Sequence, residues 1–363
     1  MYADALDSSF PPGPPLRLGI WIDRQNLLSD LTILRQVSVA LSAEGMRVYI
    51  VGDDISIDSL APYVAGYLQV RSGSWMKWVQ SGWLGNERLI AAELHRHKLD
   101  VLLLMGWSEA QSAVLPLLRD MVIARWHLDR IDLAGANQDS YSIFGSERIR
   151  IASGSPGHST VIVPGILIND GVQLPRRHAG EGVLTIACLD AIENPHEYEV
   201  FFKAFAATRR SADHLLLLLD AGIARDEVWR MARGMKLLDR ISFIPAIGAV
   251  SSAILSVDVI ININPATRVW LVGLESMAAG KAIMCRGTSL TETFTTDTCR
   301  IVNQSEDWAQ CLEDFVMQPT ETRILCENAL QRVRRQHSMS DFLDRLTRLF
   351  SDLKRGSIPL NRP

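Results

Sequence analysis

The segment with the most chemical promise is Asn264-Pro265-Ala266-Thr267-Arg268-Val269-Trp270-Leu271-Val272-Gly273-Leu274-Glu275-Ser276-Met277-Ala278-Ala279-Gly280-Lys281-Ala282-Ile283-Met284. Glu275 is expected to open a short helix, Glu275 to Ala279, ahead of a strand at Ala282 to Cys285. The amides and the positive dipole end of such a helix can hold an anionic diphosphate. A carboxylate placed there can accept from both hydroxyls of a ribose. Ala278, Ala279 and Gly280 let the helix pack closely and end before the strand. The plainer alternative is that Glu275 is only a favourable first-turn acid. Arg268 is either a counter-charge for phosphate or an exposed loop arginine.

Other chemical signatures are weaker. Gly106-Trp107-Ser108-Glu109-Ala110 approaches a nucleophile elbow between a strand and a helix, although Ser108 also suits a helix N-cap. The sequence contains no Gly-x-Gly-x-x-Gly, no Gly-x-x-x-x-Gly-Lys-Ser/Thr, no His-Glu-x-x-His and no Asp-x-Asp. His127, in Arg125-Trp126-His127-Leu128, follows a strand whose carboxyl end would face a cleft, and a structural histidine is the alternative. Trp75, Trp78 and Trp83 lie near Arg71, Lys77 and Arg88. They read either as a peripheral membrane contact or acceptor lip, or as a buried packing stripe. Arg332, Arg334 and Arg335 read as a solvated helix face.

These residues need a large α/β scaffold to position them, and the chain supplies one. Its 363 residues point to two domains. With 47% apolar and 21% charged residues it has the make-up of a globular protein with a real core. The formal net charge of −4 gives no global electrostatic drive toward nucleic acid. Five widely spaced cysteines without a Cys-x-x-Cys read as reduced thiols of a cytoplasmic protein, with no metal site.

β-rich runs alternate with helical patterns from Leu16 onward, which predicts parallel sheets built from βαβ units. Strands are expected at Arg17 to Ile22, Met46 to Val51, Val101 to Met105, Met121 to Trp126 and Thr160 to Val163, with a helix over Glu109 to Arg119. The rhythm breaks over Asn169 to Glu181 and restarts with strands at Val183 to Cys188, His214 to Leu219, Ile241 to Ile244, Val257 to Ile263 and Ala282 to Cys285. Asp307 to Leu353 reads as almost wholly helical. The fold class expected is α/β, with two Rossmann-like domains facing each other across a cleft, a common place for a small-molecule site.

The 264–284 segment resembles the donor-site motif of family 4-like glycosyltransferases of the GT-B fold. The resemblance extends upstream through Ile254 to Ile263 and Thr185 to Phe205, and downstream through Arg286 to Glu292 and Cys299 to Leu353. The polyproline-like end of 1–16, Pro11-Pro12-Gly13-Pro14-Pro15, reads as a disordered tail and the polar break as a linker over 171–182, and the resemblance implies an acceptor-side domain over 17–170 between them. A nucleotide-sugar-binding domain with closing helices would follow over 183–353, with a tail over 354–363.

The activity implied is retaining, metal-independent transfer of a hexosyl group from a nucleotide-sugar, with no cofactor beyond that donor. The acceptor would be a saccharide, a lipid-linked molecule or another hydroxyl compound. The setting implied is polysaccharide biosynthesis in the cytoplasm, with the inner membrane face as an option and no nucleic-acid partner. Donor-binding roles fall on Glu275, Ser276, Thr267, Arg268 and His196, and a catalytic contact to sugar or acceptor on His127.

Three departures from the family pattern stand out. An acidic position of the motif is Thr267, and Gly-x-Gly is replaced by Arg268-Val269-Trp270. Two cationic positions align with Cys188 and approximately with His196, which carry no fixed charge at neutral pH. A non-catalytic glycosyltransferase-like binding or assembly partner is therefore the competing reading.

Overall fold

The run Val101–Met105 is apolar throughout and buried throughout, as a strand covered on both faces must be. It is the fourth strand, β4, of a seven-stranded parallel sheet in a computed structural model of the chain. The structure describes residues 15–22, 34, 37–52, 64–69, 86–105, 109–127, 140–154, 158–168, 172, 174, 184–190, 192, 194–208, 213–220, 222–245, 250–263, 270–287, 293–304 and 307–356.

The first sheet has the order β3-β2-β1-β4-β5-β6-β7. Its strands are β1 (Arg17–Ile22), β2 (Arg47–Gly52), β3 (Gly66–Gln69), β4, β5 (Val122–His127), β6 (Tyr141–Phe144) and β7 (Ser159–Val161). Side chains alternate between its faces with the strand period of two. Leu18, Ile20 and Ile22 join one apolar cluster, while Trp21 joins Leu102 and Leu104 in another on the opposite face. Helices α1 (Asn86–Arg96), α2 (Glu109–Val114) and α3 (Glu147–Ala152) belong to this part of the chain. The helix expected to reach Arg119 gives way after Val114 to a 3-10 turn over Leu115–Leu117. Pro116 explains the change, because it lacks the N–H that an α-helix would use there.

The second sheet has the order β10-β9-β8-β11-β12-β13. It contains β8 (Thr185–Cys188), β9 (Leu215–Asp220), β10 (Ile241–Pro245), β11 (Val259–Asn262), β12 (Ala282–Arg286) and β13 (Arg300–Val302), all parallel. Its helices are α4 (Pro195–Ala207), α5 (Arg225–Gly234), α6 (Val250–Ser256), α7 (Leu271–Ala278), α8 (Asp307–Met317), α9 (Pro319–Gln336) and α10 (Met339–Arg355). The two parallel sheets with flanking helices meet the expectation of two Rossmann-like units.

The final helix returns to the first sheet. Phe342 of α10 packs on Trp126 of β5 with ring centroids 5.5 Å apart, and Lys354 pairs with Asp100 at 3.1 Å. Leu346, Leu349, Phe350 and Leu353 sit in the same apolar cluster as β1 and β4. The chain leaving β7 meets the start of α10 through a bridge between Ile166 and Ser338 and a hydrogen bond from Ile166 N to His337 O of 3.0 Å. Gly165 permits this approach, since a Cβ there would lie 2.8 Å from Met339 Cα and 2.7 Å from Phe342 Cβ.

His337 completes the junction. Its Nδ1 lies 2.7 Å from the Pro164 carbonyl, which can only accept, so Nδ1 carries the proton. Nε2, 2.8 Å away, therefore accepts from the Thr293 hydroxyl. Burial holds the imidazole below its ordinary pKa, which keeps this neutral tautomer in place.

Candidate active site at the carboxyl edge of the second sheet

Strand order marks a candidate site before any side chain is considered. From β8 the chain builds outward to β9 and β10, then crosses back to place β11 on the other side of β8. In open α/β sheets ligands bind in the crevice at such a reversal, outside the carboxyl ends of the strands. Here the crevice lies beyond Cys188 and Asn262, flanked by the first turns of α4 and α7.

Helix α7 begins at Leu271, so Glu275 stands in its second turn, where the sequence placed it at the opening. The preceding apolar residues Leu271, Val272 and Leu274 are all buried and extend the helix one turn toward its N-terminus. The first-turn amides that can receive an anion therefore belong to Leu271, Val272 and Gly273, while Glu275 is half-buried one turn along. Ser276 is fully buried, and its hydroxyl donates to the Val272 carbonyl at 2.6 Å, so it is not kept among the donor contacts. Thr267 and Arg268 lie outside the described residues, as do Ser108, the tryptophans at 75, 78 and 83, and the tip of the loop after Gly287.

Trp270 takes the N-cap position of α7 without a side-chain capping bond. Its ring packs on Phe294 at 5.5 Å and covers Gly273 so closely that a Cβ there would fall 2.3 Å from a ring carbon. Gly273→Ala must displace the indole or the helix, an overpacking cost of about 2 kcal/mol. Urea denaturation of the variant checks this, and unchanged stability would contradict the close packing.

On the α4 side, Asn194 caps the helix by accepting from His196 N at 3.1 Å, and Pro195 occupies the first turn. His196 is exposed, with its Nδ1 3.8 Å from Glu199. Cys188 is buried against the Tyr198 hydroxyl at 3.4 Å. Burial, helped by the charge of Asp190, pushes its thiol up to about 11, so it is neutral at pH 7.

Three features here escaped the sequence reading. Asn262, at the carboxyl end of β11, is buried, and its Oδ1 has no hydrogen-bond partner among the described residues. Asp190 is buried just beyond β8. Arg286, at the carboxyl end of β12, forms a half-buried ion pair with Glu197 in the first turn of α4. The pair lies at the crevice edge and brings a permanent cation to the region of the neutral Cys188 thiol. A charged residue closing the otherwise apolar strand Ala282–Arg286 was the available signal.

His127 lies on the other sheet, at the carboxyl end of β5. It is buried, stacked on Phe144 at 4.7 Å, with Nε2 3.2 Å from Ser142 Oγ. Nδ1 has no hydrogen-bond partner among the described residues. Burial, then the charge of Arg125, pushes its pKa down to about 4, so it acts as a neutral donor or acceptor at pH 7.

Two parallel sheets, each with a central reversal, joined by a strap and a returning C-terminal helix, define the GT-B architecture. Solved structures with the same architecture cover nearly the whole chain. HepE of Anabaena, crystallised with UDP and glucose, is 11% identical over 93% of this chain and 100% of its own, with a TM-score of 0.71. Sucrose-phosphate synthase of Thermosynechococcus elongatus is 14% identical over 94% and 100%, with a TM-score of 0.71. A glycosyltransferase of Rickettsia africae is 14% identical over 94% and 99%, with a TM-score of 0.66. No protein-family model matches the sequence, and no curated protein matches it. No helix among the described residues is long and apolar enough to cross a membrane.

Proposed function

We propose that the protein is a glycosyltransferase that takes a hexosyl group from a nucleotide-sugar at the β8/β11 crevice and passes it, with retention and without a metal, to a hydroxyl of an acceptor. The observation that carries this reading is the placement of a helix N-terminus, a half-buried Glu275 and a buried Asn262 carbonyl oxygen around one strand-order reversal. The likeness to HepE, crystallised with UDP-glucose, supports it. In this reading Glu275 accepts from the ribose hydroxyls and the first-turn amides of α7 hold the diphosphate. Thr267, Arg268 and His196 remain candidate donor contacts, and His127 meets the sugar or the acceptor through Nδ1.

During transfer the bond from the sugar C1 to the diphosphate oxygen breaks, the acceptor oxygen bonds to C1, and the acceptor proton leaves with the diphosphate. The charge that develops on the leaving group needs fixed donors aimed at it. We assign that task to Arg286, released from Glu197 when the diphosphate arrives. The acceptor is a saccharide or a lipid-linked saccharide bound against the 17–170 lobe, and the setting is polysaccharide assembly in the cytoplasm.

The second reading, a binding or assembly partner without turnover, draws on the neutral Cys188 and the exposed His196. Isothermal titration with a panel of sugar nucleotides tests both. The intact protein is expected to bind at least one of them, and Glu275→Ala to weaken that binding about 10- to 100-fold by losing charge-assisted hydrogen bonds. Arg286→Ala is expected to lower turnover more than donor affinity. Failure of the intact protein to bind any sugar nucleotide would remove the enzyme reading, and binding with no role for Arg286 would favour the second.

A further inference from the structure

A separate cavity of about 360 Å³ opens where the two halves of the chain meet. Its walls come from Gly145 and Ser146 just beyond β6, from Thr293 beyond β12, and from the corner between α9 and α10. It therefore adjoins the carboxyl end of β6 in the first sheet. Its size falls within the range of about 300–1,000 Å³ typical of small-molecule sites. Gly145 N donates to the His127 carbonyl at 3.0 Å, so the cavity adjoins the strand end that carries His127.

The charges on its walls are of both signs and are not spent on each other. Arg335, in the last turn of α9, and Arg345, in the second turn of α10, are exposed and form no ion pair among the described residues. Other arginines on the two helices are paired, Arg332 of α9 with Asp297 at 2.9 Å and Arg348 of α10 with Asp344 at 3.5 Å. Two guanidiniums on one concave wall repel each other unless an anion lies between them. Asp341, on the same wall, is not paired with either arginine among the described residues. A site for a simple anion would gain nothing from that carboxylate. A ligand with both an acidic group and hydroxyls uses all three, the arginines for the acid and Asp341 as acceptor for hydroxyls. Of its lining residues, His337 and Thr293 are hydrogen-bonded to each other and His337 also to the Pro164 carbonyl, and such prior anchoring lowers the ordering cost of binding.

We propose that this cavity binds an acidic saccharide unit, one bearing a phosphate or a carboxylate, with Arg335 and Arg345 on the acidic group and Asp341 on ring hydroxyls. The binding site stands on its own geometry. Calling its ligand the acceptor rests on the transferase reading above.

The test is calorimetric titration of the full-length protein with glucose 6-phosphate, glucuronate, neutral glucose and inorganic phosphate. At least one acidic sugar is expected to bind about ten times tighter than glucose, from hydrogen bonds to charged groups. Arg335→Gln/Arg345→Gln should abolish that preference while leaving the melting temperature and UDP affinity unchanged. Asp341→Asn should weaken the acidic sugar but not inorganic phosphate. The proposal is overturned if neither acidic sugar binds, or if the double variant keeps the preference. It is also overturned if inorganic phosphate binds as tightly as glucose 6-phosphate, which would mark a plain anion site. Acidic-sugar binding by a protein that binds no UDP or sugar nucleotide would overturn the acceptor assignment and the transferase reading while supporting the site.

Discussion

His337→Ala is expected to destabilise the protein by about 4 kcal/mol, because it strands two buried hydrogen-bonding groups at roughly 1–3 kcal/mol each and leaves a cavity. The imidazole is buried, donates to the Pro164 carbonyl and accepts from Thr293, joining the strap after β7, the loop after β12 and the corner before α10. One ring makes both bonds, so the effect should exceed that of removing one partner. Thr293→Val should cost less, and the double variant less than the sum, since both remove the same bond. Urea denaturation measures all three. A loss below about 1 kcal/mol for His337→Ala, the net worth of one ordinary hydrogen bond, would show that the junction is not held this way.

The same contact explains why some of the molecule is legible in the sequence and some is not. The strands Val101–Met105 and Ala282–Arg286 announce themselves as apolar runs between turn residues, because burial on both faces demands it. Tyr141–Phe144, Gly66–Gln69 and Arg300–Val302 are three or four residues long, too short for periodicity to distinguish them from loop. Glu275 stood out as a candidate because its segment resembles a known motif, but its helix begins a turn earlier than a local reading allows. Pro164 and His337 are 173 residues apart in sequence, and no spacing rule joins them.

The Arg286–Glu197 pair poses the same difficulty. Each residue is locally ordinary, one ending a strand and the other acidic in a first helical turn. Only the strand order, with β8 between β9 and β11 and β12 beyond, brings those two ends to one edge. Topology is a long-range property, and it also decides which reversal becomes a crevice. Cys188 and His196 lie near the end of β8 and the start of α4, and the cation that approaches them in space stands about ninety residues further along the chain, at the end of β12.

His127 gives the largest expected response to pH. The folded protein takes up this proton only near pH 4, whereas the unfolded chain takes it up near its ordinary value of 6.5. Between those values the unfolded state binds more protons, so acid favours unfolding and stability falls as pH drops below about 6.5. The full shift corresponds to a loss on the order of 3 kcal/mol by pH 4, at about 1.4 kcal/mol per pH unit. His337, also held below its ordinary value by burial, pushes in the same direction. Unfolding free energies measured from pH 7 to pH 4 should therefore fall steeply for the natural protein. In His127→Phe, which keeps an aromatic ring against Phe144 but cannot titrate, the fall should be shallower by most of those 3 kcal/mol. Parallel curves for the two proteins would mean that His127 is already charged, or already solvated, in the folded state. A protonated imidazole beside Arg125 would then be unable to serve as the neutral contact proposed for the sugar or acceptor.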